Sequence, residues 1–274
     1  MEKFKLFKPG DRVAVAVSGG KDSLTLLYLL SKYRDRLGVE LVAVLVDEGI
    51  SGYREYKQLA AEKYARAWGV RLCVTSFKEG FGFTLDEVVF ALMMEGLSVK
   101  PCSACGVFRR YLLNRIALDL GADKLATAHN LDDEAQAFLM NAIQANLTAF
   151  LKEGIVDIKA HELLVPRVKP FYFTPEKEVM TYALLHTIES PYVECPYIVY
   201  SIRNVVRRWL NYIELEDPMV KYRVLALKEL LTGICKEVSD FRTCKICGMP
   251  SSGDLCKACE LSERVRSFYS RKSF

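Results

Sequence analysis

The sequence has 274 residues, of which 51% are apolar and 26% are charged, so it can bury a sizeable core as a globular protein. Glycine and proline are too few for a collagen-like or low-complexity chain, and no apolar run approaches the roughly 20 residues of a membrane-spanning helix. We expect a cytoplasmic protein without a membrane span or secretory signal, whose nine cysteines are thiols or metal ligands rather than disulfides.

Short apolar runs and helical spacing alternate along the first half of the chain. Apolar runs without polar alternation predict buried strands at 13–17, 41–46, 70–76 and 124–128. Helices are predicted at 23–36, 56–68, 108–120 and 132–146. Because strands and helices alternate, we expect an α/β fold with a doubly wound, mainly parallel sheet.

This alternation ends near residue 150. A helix is predicted from Pro175 to His186 with Thr174 as its cap, and C-terminal helices follow at 202–212 and 220–231. The segment that holds the last four cysteines is too rich in glycine, serine and proline for regular elements. We divide the chain into an α/β domain, a helical extension and a small cysteine-rich module with a basic tail, at 1–168, 169–240 and 241–274.

A glycine-rich loop follows the first predicted strand and opens the first predicted helix. Glycines let the backbone approach an anion, the helix N-terminus offers free N–H groups, and two hydroxyls and a lysine add donors and charge. The loop lacks the Walker A spacing, and a plain strand-to-helix turn is the alternative interpretation. The predicted phosphate-binding residues are Val17, Ser18, Gly19, Gly20, Lys21, Asp22 and Ser23.

The loop resembles the PP-loop of the N-type ATP pyrophosphatases, which cleave ATP between the α and β phosphates and adenylate a carbonyl oxygen. Two further segments at predicted strand ends, 46–50 and 128–134, agree with that family. The resemblance implies an adenine nucleotide alpha-hydrolase-like fold that binds ATP and Mg²⁺.

Several residues of these strand ends receive roles from the resemblance. Val46, Asp47, His129 and Asp132 are expected near the nucleotide or its Mg²⁺, and Asp133 is expected to be a base or an orienting carboxylate. The two aspartates would also stabilise a helix N-terminus as acids of its first turn, and a structural role is the alternative for His129.

Three cysteines stand out in the middle of the chain. Cys102 and Cys105 form a C-x-x-C pair ahead of a predicted helix, and Cys195 lies beside a proline far downstream. The pair alone suits a redox pair, half a zinc site or core thiols, whereas all three cysteines suit iron–sulfur ligation with one iron left open. Cys73 and Cys235 lie among apolar residues and are predicted to be core thiols.

Four further cysteines near the C-terminus form two C-x-x-C knuckles separated by eight residues. This spacing is typical of a structural zinc site, with a rubredoxin-like iron site and disulfides as weaker alternatives. The predicted ligands are Cys244, Cys247, Cys256 and Cys259.

Basic residues cluster upstream of that box. Residues 201–274 carry 14 basic and 9 acidic side chains, whereas the whole chain has a net charge of +4. Arg203, Arg207 and Arg208, next to Trp209, lie on a predicted helix. They suit contact with tRNA, and a solvated helix face with salt bridges is the alternative.

Taken together, these motifs resemble the TtcA/TtuA family of tRNA 2-thiolation enzymes over most of residues 10–210. The C-terminal box is similar to that of the TtuA branch. The resemblance implies an ATP-dependent tRNA sulfurtransferase in which Cys102, Cys105 and Cys195 hold a [4Fe–4S] cluster or act through a persulfide. It further implies a homodimer and a sulfur donor, either sulfide or a small thiocarboxylated carrier protein.

Other roles also come from this resemblance. Gly106 and Arg110 are expected to contact ATP, and Arg109 stands where one branch has a lysine with a proposed catalytic part. Because arginine stays charged, we expect an electrostatic role for Arg109. TtuA-like chains also carry a zinc ribbon ahead of the PP-loop, whereas this sequence has no cysteine before Cys73.

Two other functions are compatible with the sequence. A PP-loop enzyme can adenylate a carbonyl for nitrogen transfer, although that reaction needs no thiolates. A nucleotide-gated tRNA-binding protein would use the same loop without chemistry. The sequence does not decide between the thymine-loop uridine and the wobble uridine as substrate.

Overall fold

A computed structural model describes residues 1–96, 99–146, 154–155, 161–234 and 241–271 of the chain. Its main sheet has five parallel strands in the order β3-β2-β1-β4-β5. The strands are β1 (Arg12–Ala16), β2 (Glu40–Asp47), β3 (Arg71–Ser76), β4 (Lys124–Ala126) and β5 (Arg167–Val168). The chain winds outward from β1 through β2 and β3 and then returns to the other side of β1, which confirms the doubly wound α/β fold. A crevice between β1 and β4 is where such sheets bind ligands.

Helices cover both faces of this sheet. In chain order they are α1 (Lys21–Leu37), α2 (Arg54–Ala67), α3 (Phe77–Phe81), α4 (Leu85–Met94), α5 (Pro101–Asp119), α6 (Leu131–Ile143), α7 (Glu176–Leu185), α8 (Arg203–Glu216), α9 (Val220–Ile234) and α10 (Lys257–Arg271). Two short 3₁₀ helices lie at Glu2–Phe4 and Pro196–Tyr200.

The central strand shows why the fold has two covered faces. Val13 and Val15 pack into one apolar cluster with α1, whereas Ala14 between them packs into another with Ala117 of α5. All three β1 residues are fully buried, as expected for a strand of a parallel sheet with helices on both sides.

Several predictions about the elements were incomplete. β5 was missed because it has only two residues, which pair with Leu125 and Ala126 and show no pattern of their own. α3 and α4 were also missed, although capping boxes mark their starts at Ser76 and Thr84. The helix predicted from Pro175 begins at Glu176 with Pro175 as its N-cap, so Thr174 is not the cap.

The C-terminal cysteine segment is more regular than predicted. Its short strands β6 (Arg242–Thr243) and β7 (Pro250–Ser251) form an antiparallel pair, and α10 begins inside the segment at Lys257. α10 packs against α4 and α5, so the cysteine-rich module rests on the nucleotide-binding part of the chain. Of the two predicted core thiols, Cys73 is half-buried and Cys235 lies outside the described residues.

Side chains from the predicted helical extension enter the main core. Val179 and Ala183 of α7 belong to the same buried cluster as Val13 and Val15 of β1. Because this packing does not mark a boundary between the two parts, the domain division at residue 168 stays a prediction. Within the described residues, no helix is both long and apolar enough to cross a bilayer.

Candidate active site

The glycine-rich loop joins β1 to α1 and is held by its own side chains. The Ser18 N–H donates to Ser23 Oγ at 3.1 Å, and the Ser23 hydroxyl donates to the Gly20 carbonyl at 2.9 Å. Gly20 is the N-cap of α1 and has no side chain to cap the helix, so the first N–H groups remain available to an anion.

Gly19 is the tightest point of the loop. Its φ is +79°, and a Cβ at this position would lie 2.0 Å from the carbonyl oxygen of Lys57. The Gly19 carbonyl accepts a 3.0 Å hydrogen bond from Ser190, and Lys57 Nζ donates to the Pro191 carbonyl. The segment that leads to Cys195 is thus tied to the loop and to α2.

The loop lysine lies between two carboxylates. Lys21 Nζ lies 2.8 Å from Asp22 Oδ2 and 2.7 Å from Glu176 Oε1. Burial opposes its charge, but the two carboxylates prevail and raise the pKa of Lys21. Burial raises the pKa of Asp22 against the pull of Lys21. Lys21 therefore stays protonated, as a phosphate ligand must.

The two aspartates of α6 have different surroundings. Asp132 is buried, accepts the N–H of Glu176 at 2.7 Å and pairs with Lys221. Asp133 forms a capping box with Asn130 and lies about one-third exposed toward the crevice. Burial raises the pKa of Asp133 despite a nearby arginine. The geometry thus favours Asp133 as the carboxylate that a substrate can reach.

The predicted arginines of α8 split into two groups. Arg203 lies 3.3 Å from Asp133, and Arg207 lies 3.4 Å from Glu176, so both belong to the crevice. Arg208 is exposed beside Trp209, which is 54% exposed. Arg203 and Arg207 therefore form salt bridges, which was the alternative to a tRNA contact, whereas Arg208 and Trp209 face outward.

The three middle cysteines lie in one neighbourhood, where the thiols act on one another electrostatically. The C-x-x-C pair does not precede its helix, because α5 already starts at Pro101 and both thiols project from its first turns. Cys102 is exposed and lies 3.5 Å from the Tyr197 carbonyl, just past Cys195 in the chain. Burial raises the pKa of Cys105 to about 12 against the pull of Arg109, and the other two thiols add to this rise.

Two arginines follow the pair on α5. Arg109 Nη1 lies 3.7 Å from Glu48 Oε1, and its charge acts on all three thiols. Arg110 is exposed, and its guanidinium lies 3.2 Å from where a Cβ on Gly106 would be. A side chain at position 106 would therefore disturb Arg110.

The other predicted nucleotide contacts lie at the same sheet edge. Val17 and Val46 are buried at the ends of β1 and β2. Asp47 Oδ1 accepts the N–H of Gly49 at 2.8 Å, so it shapes a turn. His129 Nδ1 lies 3.1 Å from the Thr127 hydroxyl.

The C-terminal cysteines form a compact group. The four Sγ atoms lie within 4.8 Å of one another, and those of Cys247 and Cys256 are 3.7 Å apart. A tetrahedral site with Zn–S bonds of about 2.3 Å needs sulfurs about 3.8 Å apart. Burial opposes ionisation of Cys244, but backbone N–H groups lower its pKa to about 6. The group fits one tetrahedral metal ion.

Comparisons with known proteins agree with this geometry. A family model described as a PP-loop domain matches residues 1–211. The chain is 37% identical to the tRNA-5-methyluridine(54) 2-sulfurtransferase of Pyrococcus horikoshii, with 95% of this chain and 81% of that protein covered. It is 36% identical to cytoplasmic tRNA 2-thiolation protein 1 of Chlamydomonas reinhardtii, covering 94% and 72% respectively.

A solved structure matches over nearly the whole fold. It is the U34-tRNA thiolase NcsA from Methanococcus maripaludis with its [4Fe-4S] cluster, with a TM-score of 0.82, 36% identity, and coverage of 94% of this chain and 82% of that chain. The chain belongs to the PP-loop family of tRNA 2-thiolation proteins.

For a tRNA 2-thiolation protein, the donor set of the middle cysteines fits an iron–sulfur cluster. Three thiols from two chain segments converge beside a cationic side chain, and at least one of them is exposed. Burial raises the pKa values of Cys102 and Cys195 as well, so without a metal these thiols keep their protons near neutral pH. A bound metal would replace those protons.

Sequence reasoning missed several residues of this tRNA 2-thiolation protein. Glu176 contacts the loop lysine, and Arg54 donates to the carbonyls of Ser18 and Val46. Lys221 neutralises Asp132 from α9. Each is one of several charged residues on its helix, and no local motif separates it from an ordinary surface residue.

Proposed function

We propose that this protein is an ATP-dependent sulfurtransferase that replaces the C2 carbonyl oxygen of a tRNA pyrimidine, uridine in particular, with sulfur. One observation carries the proposal: an anion-binding loop and three converging thiols lie at the same edge of the sheet. The membership of the tRNA 2-thiolation family supports the same reaction.

ATP would bind with its phosphates on the Ser18–Ser23 loop and the N-terminus of α1. The C2 carbonyl oxygen of the base attacks the α-phosphate, the bond to the β-phosphate breaks, and pyrophosphate leaves. Lys21 and the helix N–H groups would neutralise the departing charge. Asp133 would orient the base or accept a proton. In the adenylated base, AMP is a good leaving group.

Sulfur then bonds to C2, and AMP departs with the former carbonyl oxygen. Cys102, Cys105 and Cys195 would hold a [4Fe–4S] cluster, which supplies an open iron for a terminal sulfur when bound. Arg109, charged at any working pH, would attract the anionic sulfur to the thiol side of the crevice.

Two further metals form part of the proposal. Mg²⁺ would accompany the ATP phosphates near the carboxylates of the crevice, where Asp133 is better placed than the neutralised Asp132. Zn²⁺ would fill the C-terminal four-cysteine group, whose compactness suits one ion better than a cluster.

The tRNA would lie against the outward face of α8. Arg208 and the half-exposed ring of Trp209 offer a charge for phosphate and a surface for an unpaired base. We further propose a homodimer and a sulfide or thiocarboxylate donor, which the family resemblance supports, and domain boundaries at 168 and 240, which the sequence pattern supports. A cytoplasmic location is supported by the name of the Chlamydomonas reinhardtii relative.

The alternatives differ in what the thiols do. Nitrogen transfer by a PP-loop enzyme would leave Cys102, Cys105 and Cys195 without a purpose, and a non-catalytic tRNA-binding protein would need neither these thiols nor the reachable carboxylate of Asp133. The family membership favours thiolation over both.

The test begins with protein purified under strict anaerobic conditions. Iron, acid-labile sulfide and zinc are counted per chain, and the Cys102→Ala variant serves as the matched comparison because its exposed side chain contributes little to the core. We expect about four irons with matching sulfide and about one zinc, with the iron lost from the variant.

The same samples are then incubated with ATP, sulfide and a tRNA transcript. From the wild type we expect AMP, pyrophosphate and a thiolated nucleoside in equal amounts, and from Cys102→Ala we expect no thiolated nucleoside; the nucleoside is detected by mass spectrometry. Transcripts that lack a uridine at position 34 or at position 54 identify the modified site. A parallel reaction supplies an ammonium salt or lysine in place of sulfide. An aminated nucleoside formed there, with release of AMP and pyrophosphate, by the variant with all three cysteines replaced by alanine would revive nitrogen transfer. Release of neither pyrophosphate nor AMP would favour the binding protein.

A further inference from the structure

A buried carboxylate lies between the nucleotide loop and the thiols. Glu48 follows β2 directly and is only 4% exposed. Its Oε2 lies 3.1 Å from Nε of Arg54, and its Oε1 lies 3.7 Å from Nη1 of Arg109. One carboxylate thus contacts two guanidinium groups that come from different helices.

The first of these arginines is fixed to the nucleotide loop. Arg54 starts α2 and is itself 4% exposed. It donates to the Ser18 carbonyl at 2.9 Å and to the Val46 carbonyl at 2.6 Å. Its guanidinium therefore belongs to the frame that shapes the loop, and Glu48 is attached to that frame.

The second arginine is more exposed and lies on α5, one turn after Cys105. The Arg109 side chain is 47% exposed, whereas Glu48 is 6% exposed by the same side-chain measure. Its charge acts on Cys102, Cys105 and Cys195. A long, half-exposed side chain has many rotamers, and a contact with a fixed carboxylate selects among them.

This pairing is not well arranged for stability. Two atoms at its centre, Glu48 Oε2 and Arg54 Nε, are buried and make no well-aligned hydrogen bond within the described residues. A buried ion pair seldom stabilises a protein more than apolar side chains of similar size, and some such pairs are retained because they select one arrangement. A role in orientation explains Glu48 better than a role in stability.

We propose that Glu48 is a positioning residue that holds the Arg109 guanidinium over the three thiols and ties it, through Arg54, to the nucleotide loop. This inference rests on the proposed sulfur transfer, in which Arg109 attracts the anionic sulfur. It assigns the Glu48 carboxylate to Arg109 rather than to the nucleotide. The charge that attracts sulfur is thereby set at a constant distance from the loop that holds the adenylate.

The test combines a crystal structure with a double-mutant cycle. Glu48→Gln keeps the size of the side chain and removes its charge, and Arg109→Gln removes the other partner. Glu40→Gln is the matched control, because Glu40 also pairs with an arginine between β1 and β2, at 3.0 Å from Arg12, but at the opposite edge of the sheet. Each variant is assayed for kcat, for KM of ATP and for its melting temperature.

We expect the Glu48→Gln structure to show Arg109 displaced from the thiols. We also expect kcat for thiolation to fall about 100-fold, because a displacement of about 1 Å in a positioned group can lower a rate by that factor. KM for ATP should stay within about 3-fold, because loss of positioning affects kcat rather than uniform binding. In the Arg109→Gln background the Glu48 substitution should cause little further loss, whereas independent effects would multiply.

An unmoved Arg109 in the Glu48→Gln crystal, or losses that multiply in the double variant, would overturn the inference. If Glu48→Gln does not fold, Glu48→Asp keeps the charge but shortens its reach, and a structure with Arg109 still in place would overturn the inference in that case. Wild-type protein that makes no thiolated tRNA would refute the proposed function alone, since the crystal structure decides whether Glu48 holds Arg109.

Discussion

The nucleotide loop makes a sharp prediction at two adjacent glycines. Gly19 has a φ of +79°, and a Cβ there would lie 2.0 Å from the Lys57 carbonyl oxygen. Gly20 has a φ of −85°, and its Cβ would meet only the Ser18 hydroxyl at 3.4 Å. The same substitution to alanine should therefore have very different effects at the two positions.

The magnitude follows from the geometry. A left-handed conformation costs a non-glycine residue about 1–2 kcal/mol. The carbonyl of Lys57 must also move by about 1.4 Å to bring its oxygen from 2.0 Å to an ordinary contact of 3.4 Å, and such overpacking typically costs 1–3 kcal/mol. We expect Gly19→Ala to lower the free energy of unfolding by about 2–5 kcal/mol. Gly20→Ala should cost about 1 kcal/mol or less, as for other changes at a helix N-cap.

The assay is urea denaturation of both variants together with ATP binding by calorimetry. Gly19→Ala should also weaken ATP binding strongly, because Lys57 and the loop are displaced together, whereas Gly20→Ala should bind within a few-fold of wild type. Equal stability losses in the two variants would refute the argument from backbone conformation and close approach.

Other predictions concern the buried charges, the C-terminal cysteine box and the outward face of α8 that we propose for tRNA. Glu134 lies between Lys169 and Lys228, which lower its pKa despite burial, so Glu134→Gln should destabilise by about 3–5 kcal/mol. The Glu134 carboxylate stabilises the folded state at pH values above its unfolded pKa of about 4.3, and this stabilisation is lost as the pH falls through its lower folded pKa. The urea midpoint of Glu134→Gln should therefore change less between neutral and acid pH than that of the wild type. Cys259→Ser should abolish binding of the proposed zinc ion and expose the amides of α10 to hydrogen exchange, with α1 still protected. Arg208→Ala should weaken tRNA binding. It should also reduce, by about 1, the slope of the logarithm of the tRNA binding constant against the logarithm of the salt concentration.

Each of these has a control and a contrary result. For Glu134 the control is Glu40→Gln at the surface, expected within about 1 kcal/mol of wild type, and an equal loss in both would contradict the buried network. Continued protection of α10 in zinc-free Cys259→Ser would show that apolar packing alone holds it. For Arg208 the control is Arg36→Ala on α1, which should leave tRNA affinity unchanged. If Arg208→Ala does not change the salt dependence of tRNA binding, α8 does not contact the tRNA.

Local chemistry explains what could be predicted. The strands β1 and β2 carry uninterrupted apolar runs, and the loop after β1 combines glycines, hydroxyls and a lysine within six residues. The C-terminal box was predictable in the same way, since C-x-x-C pairs bring thiolates together over a short chain length. By contrast, two-residue β5 and the helix that starts inside the box have patterns too short or too mixed to read.

The sequence by itself determined the fold class, the nucleotide loop and the two cysteine sets, because periodicity and motif spacing act over neighbouring residues. Only the tertiary structure decided which charges meet. Lys21 and Glu176 are 155 positions apart, and Lys221 reaches Asp132 across 89 positions. Such pairs depend on how the helices that follow β5 return to the edge of the sheet where the strands end. No local pattern records that return, so the partners of Arg203, Glu176 and Glu48 became visible only in the folded chain.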